Sequence, residues 1–186
     1  YPWKQSLFAL VLAARQFPNY ELWCEVNQKK KGAEIFLQIV ETMFTYHSDK
    51  FNRIDLESLL DELEPYLLEE DAEDPDVGDL YSLDATISLS ASISAIVAHD
   101  GTEAQMASMA SLSGVVRKIE QTLDDGMVMT DEQLREMPEV DAEVNYQVEL
   151  YEFIEKCRHG AGLTEEIRTR FLGDNLSNIG LAALRE

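Results

Sequence analysis

Cysteine is scarce. Cys24 and Cys157 are the only two in 186 residues, and each sits in an apolar stretch of helical spacing, where a thiol behaves as a small hydrophobe. Two isolated thiols exclude a disulfide-dense scaffold and a CxxC site, and they point to a reduced, cytoplasmic protein. Histidine is nearly as rare. His47, His99 and His159 lie far apart, and none completes HExxH or ExxH, the spacings that place two ligands on one helical face. No resident metal or cofactor is expected. The nine glycines and five prolines are scattered, so nothing marks a linker, a repeat or a second domain. No GxxxxGK, GxGxxG or GxSxG occurs, which removes the glycine geometry of phosphate cradles and of the common serine nucleophile. Basic residues are the largest deficit: 15 Lys and Arg face 36 Asp and Glu, a net charge of −21. Such a surface opposes direct binding of nucleic acid or an anionic membrane. It suits a basic protein partner, with carboxylates standing in even for phosphates. Long apolar runs are lacking near the start, since Leu7 to Ala14 is too short to span a bilayer and its stripe continues through Phe17. Tyr1 is not an initiator methionine, and residues are expected before it.

What the chain does have is helical periodicity. The organising stretch is Leu80 to Ala98, in which Asp84 is the only ionised residue. From Ala85 to Ala95 it alternates apolar and hydroxyl residues, a strand-like period of two, but no other segment offers the β-branched partner a strand needs. On a helix, Leu80, Leu83 and Ile87 form one large face and Leu89, Ile93, Ile96 and Val97 another. Between them runs a strip of small residues, Asp84, Ser88, Ala91, Ser92 and Ala95, ending at His99, which lets a second helix come close. Asp79 is expected to cap this helix and Gly101 to take the left-handed conformation after it.

In chain order, a helix from Trp3 should stop at Pro18, with Asn19 capping a second through Val26. Ile35 to Tyr46 has helical spacing. Asn52 or Asp55 should open a helix through Leu56, Leu59, Leu60 and Leu63 that ends at Pro65. Thr102 and Gln105 make a capping-box signal for a helix burying Met106, Met109, Leu112, Val116, Ile119 and Leu123. Thr130 and Gln133 repeat the signal. After Pro138 a long helix to His159 should bury Val144, Val148, Tyr151, Ile154 and Cys157, and Thr164 should cap a last one to Leu172. The expectation is a single all-α domain over residues 1–186, a bundle of seven to nine helices around a buried central helix.

The ordered set PNY at Pro18–Tyr20, GDLY at Gly78–Tyr81, MTDEQL at Met129–Leu134 and SNIG at Ser177–Gly180 resembles the YjaG-like family of bacterial proteins of unknown function. The resemblance runs from about Trp3 to Leu181. It implies a small, soluble, all-helical cytoplasmic protein and carries over no activity and no catalytic residue.

Two places are candidates for function. From Asp61 to Asp79 ten of nineteen residues are acidic and none basic, giving a loop at about 66–79. Glu69, Glu70, Asp71, Glu73, Asp74 and Asp76 are its partner-binding candidates, with Glu62 and Glu64 beside them. It is not an EF-hand: counted from Asp74, Gly78 falls at position five rather than six, and Ala85 stands where a bidentate Glu is needed. The second place is Asp84 with His99, which would line a pocket in a small enzyme or ligand binder. The non-enzymatic interaction protein is the preferred reading.

Overall fold

The structure, a computed structural model, describes residues 1–49, 54–160 and 162–184. Among the described residues there are seven α-helices and one 3-10 turn, and no strand. An isolated antiparallel bridge from Leu176 to Ala182 closes a loop near the C-terminal end.

The first helix, α1 (Pro2–Val26), runs straight through Pro18. This corrects the expected stop there and the expected cap at Asn19. Proline has no N–H, so the Ala14 carbonyl loses its i+4 donor, yet burial on both sides of the ring holds the helix: Phe17, Pro18, Asn19 and Tyr20 are all buried. From Ser6 to Cys24 most residues face protein. α1 packs against α2 (Lys30–Ser48), α3 (Val77–Val97), α4 (Glu103–Gln121), α6 (Pro138–Lys156) and α7 (Leu163–Leu172). The segment expected at the centre, α3, therefore shares that place with α1. By length and composition α3 could cross a membrane, but it is seated between α1 and α4 as a core helix.

An aromatic cluster joins the second half of α1 to α2. Tyr20 stacks on Phe36 with centroids 4.9 Å apart, and Phe17 meets the same ring at 5.6 Å. The Tyr20 hydroxyl donates to the Tyr66 carbonyl at 2.8 Å. Gly32 permits that approach, because a Cβ there would lie 2.6 Å from Tyr66 Cβ.

The α-helix expected through Leu56 to Leu63 does not form. Residues 57–63 are turns leading into the 3-10 turn Glu64–Tyr66. Leu56 and Leu63 are buried all the same, so the leucines serve as anchors for an irregular segment. Glu57 and Asp61, then Asp61 and Glu64, would repel at helical spacing, and Pro65 would strike the Asp61 carbonyl. Asn52 lies outside the described residues.

The small-residue strip of α3 is buried as expected: Asp84, Ser88, Ala91, Ser92 and Ala95 are all inside, while Leu83 and Val97 are exposed. On α4 the expected stripe is displaced. Met106 and Met109 are exposed, and Ala107, Ala110, Ser111, Gly114 and Val115 turn inward with Ile119. On α6 the same happens: Val144, Val148 and Tyr151 are exposed, whereas Val140, Glu143, Gln147, Leu150 and Ile154 are buried. Small faces let α4 approach α3 and α1 closely, and the polar residues of α6 go inside because they find partners there.

The caps also differ in detail. α3 is capped by Asp76, with Asp79 at the third helical position. The capping box at Thr130 and Gln133 forms, opening the short α5 (Asp131–Arg135). The one at Thr102 and Gln105 does not, since the Thr102 hydroxyl donates to Asp100 at 2.6 Å. The Glu103 carboxylate instead accepts the N–H of Asp100 at 2.7 Å and of Gly101 at 3.1 Å, and Gly101 has φ +95°. Thr164 lies inside the first turn of α7 after Gly162 and is not a cap.

Candidate functional site

The acidic loop divides into two parts. Asp76 and Asp79 build the start of α3: Asp76 accepts the Asp79 N–H at 2.8 Å, and Asp79 accepts the Asp76 N–H at 2.9 Å. Asp79 also accepts Trp23 Nε1–H at 2.8 Å. That bond, helped by the Asp76 N–H, holds its carboxyl below the ordinary aspartate range. Asp76 therefore has a structural duty that the sequence did not disclose. Glu69, Glu70, Asp71, Glu73 and Asp74 make no side-chain hydrogen bond among the described residues, although Asp74 holds a left-handed φ of 49°. All five are exposed, and among the described residues none has a Lys or Arg within 4.0 Å.

Asp84 and His99 are not brought together. The helical rise from Asp84 to the end of α3 at Val97 spans about 20 Å, and His99 lies two residues beyond it. Asp84 is 7% exposed and accepts a hydrogen bond from Arg117 Nη1 at 2.6 Å. Burial raises its pKa and outweighs the opposing effect of Arg117. His99 Nδ1 lies 3.2 Å from the Glu103 carboxylate. Each carboxylate has a partner of its own.

Three of the four sequence motifs do converge. Asn19 of PNY donates to Asn178 of SNIG at 2.8 Å, and Asn178 donates to the Ser111 carbonyl at 2.8 Å. Gly114 is the point of closest approach: a Cβ there would lie 3.0 Å from Asn178 Nδ2 and 3.7 Å from the Tyr81 ring of GDLY. Tyr81 in turn donates to Gln121 at 3.1 Å, with Arg117 over its ring. The SNIG turn is held from within, since Ser177 Oγ accepts the N–H groups of Ile179 and Leu181, and Gly180 has φ +83°. Lys118 Nζ donates to the Ile179 carbonyl. MTDEQL forms the α5 cap and stays apart.

Beside this junction lies a polar node invisible to a stripe-based reading. Glu143, 2% exposed, accepts from Arg15 Nη1, from Ser111 Oγ at 2.6 Å and from Gln147 Nε2 at 2.9 Å. The Arg15 guanidinium lies 3.7 Å from the centroid of the Tyr146 ring. The available signal was that Val140, Glu143, Gln147, Leu150 and Ile154 also keep helical spacing, a second stripe interrupted by two polar residues.

Among the described residues, the arrangements nearest to reactive ones are tied into the fold. Ser6 Oγ lies 2.9 Å from His47 Nε2, the spacing of a nucleophile and its base, but Ser6 donates its proton to the Ser92 carbonyl at 2.6 Å. Its oxygen must therefore accept from His47 Nε2–H, which leaves the imidazole no role as base toward it. Cys24 is buried, and burial pushes its thiol up to about 11, far from a reactive thiolate. No group of three or more His, Cys, Asp or Glu among the described residues is arranged to hold a metal.

An uncharacterized protein of Haemophilus influenzae is 28% identical, covering 96% of this chain and 91% of its own length. Uncharacterized protein YjaG of Escherichia coli is 25% identical, covering 96% and 90%. The crystal structure of a DUF416 family protein from Shewanella baltica superposes with a TM-score of 0.83 at 24% identity, over 98% of this chain and 94% of that one. Residues 1–182 match the family model described as a protein of unknown function, and the chain belongs to that family, DUF416.

Proposed function

We propose that the protein is a non-enzymatic interaction protein whose acidic rim, Glu69, Glu70, Asp71, Glu73 and Asp74, engages a basic segment of another protein in the cytoplasm. The observation that carries this reading is five exposed carboxylates in one irregular segment, with no cation of the chain within 4.0 Å among the described residues. Like charges gathered this way repel, and a cationic partner would relieve the repulsion. The inward polar groups support the same reading from the other side, because Glu143, Asp84 and Ser6 are each tied to neighbours in the chain.

The test is affinity capture from native lysate with the intact chain and with a variant carrying Ser or Asn at those five positions. Asp76 is kept, so the cap of α3 stays intact. Capture of a basic protein by the wild type and its loss in the variant, at nearly unchanged melting temperature, is the expected result. The same protein captured equally by both would refute the proposal.

A further inference from the structure

Between α1, α2, α7 and the C-terminal segment lies a cavity of about 390 Å³, inside the range of small-molecule sites. Phe17, Leu37, Val40, Phe44, Leu172 and Leu176 give it apolar walls. Its charged lining is Arg15, Arg168 and Glu41; Arg168 is paired with Glu41, and Arg15 with Glu143 of α6. Pro18 lines it too, next to the Ala14 carbonyl that the proline deprives of its helical donor.

Both guanidiniums are fixed from two sides. Arg168 forks onto Glu41 through both terminal nitrogens and lies 4.5 Å from the Phe44 ring centroid. Arg15 is pinned between Glu143 and the Tyr146 face. A guanidinium carries five N–H donors, of which Arg15 gives one to the protein and Arg168 two. Both arginines line the cavity, and a side chain already pinned gives its remaining N–H groups to a ligand at less entropy cost than a free one. We propose that this cavity binds a small organic acid: one carboxylate taking N–H donors of Arg15 and Arg168, and an apolar body lying against Phe17, Leu37, Val40 and Leu172. A polyphosphate would bring several negative charges beside Glu41 and Glu143, where both guanidiniums are already paired with a carboxylate.

Titration of the full chain with octanoate, followed by calorimetry and by shifts in a two-dimensional NMR spectrum, tests this. The expected result is saturable one-to-one binding with shifts centred on α1, α2 and α7. Octanamide should bind about tenfold or more weakly, the loss of a charge-assisted hydrogen bond. Arg168→Gln, at a side chain 41% exposed, should weaken octanoate similarly. Leu37→Trp, at a position 43% exposed, should fill the mouth and abolish binding without unfolding the chain. Equal affinity for acid and amide, indifference to Leu37→Trp, or no binding at millimolar octanoate would overturn the proposal.

Discussion

Single residues carry the clearest physical consequences. His47 is fully buried, and its Nδ1 has no partner. Burial, with a smaller push from His159, drives its pKa down from 6.5 to about 3. The folded state thus binds fewer protons than the unfolded state between those values. The contribution of His47 to stability is complete above about pH 6.5 and falls as pH drops toward 3, by about 1.4 kcal/mol per pH unit at most. Asp84, whose pKa is raised, works in the opposite sense, so the comparison to make is wild type against His47→Gln in denaturant melts from pH 7 to pH 4. The wild type should lose more stability on acidification, and parallel curves would contradict the assignment. Gly32 makes a second residue-scale case. A methyl group there would meet Tyr66 Cβ at 2.6 Å and Tyr20 Oη at 2.8 Å, so Gly32→Ala should destabilise by about 1 to 3 kcal/mol even though alanine favours a helix. A rise in melting temperature would show that the 3-10 segment yields easily.

At the scale of elements, what was legible depended on whether one signal or two were present. The α3 strip, the α5 capping box and the Gly101 turn each had a single local cause, and each is in the structure. α4 and α6 carry two stripes apiece, and the more hydrophobic one faces outward. A choice by hydrophobicity alone favoured Met106, Met109, Val144 and Val148, whereas close helix approach and the Glu143 hydrogen bonds favour Ala107, Ser111, Glu143 and Gln147. Which stripe wins depends on what the facing helix offers, and a sequence read one helix at a time does not hold that. Pro18 was misread for a related reason: the lost hydrogen bond is local, but the burial that outweighs it comes from other helices. The element-scale prediction contrasts the two faces. Ala107→Leu should overpack the buried face and cost about 1 to 3 kcal/mol, while Met109→Ser at an exposed position should change stability by about 0.5 kcal/mol or less. Chemical denaturation gives both values, and a reversed order would place the stripe where the sequence first suggested. Glu143→Ala should cost about 3 to 5 kcal/mol by the same measurement, because it leaves Arg15 half-buried without its carboxylate.

For the whole molecule, the candidate rim was legible as composition, ten acids in nineteen residues. The division of labour inside it was not. That Asp76 caps α3 follows from where the helix begins, one turn earlier than Leu80 suggested. Asp84 and His99 share a strip on the helical wheel, yet the helical rise from Asp84 to the end of α3 at Val97 alone spans about 20 Å, a separation implicit in the sequence spacing. The proposed partner surface is the five-residue rim, whose carboxylates are exposed and have no Lys or Arg within 4.0 Å among the described residues. Its most direct test is the affinity of a captured partner for the wild type and for the five-site variant, measured by calorimetry from 50 to 500 mM salt. Screening acts over about 8 Å at physiological ionic strength, so the account predicts wild-type affinity that falls steadily with salt and a variant that binds weakly at every salt concentration. Affinity independent of salt and equal in the two proteins would contradict it.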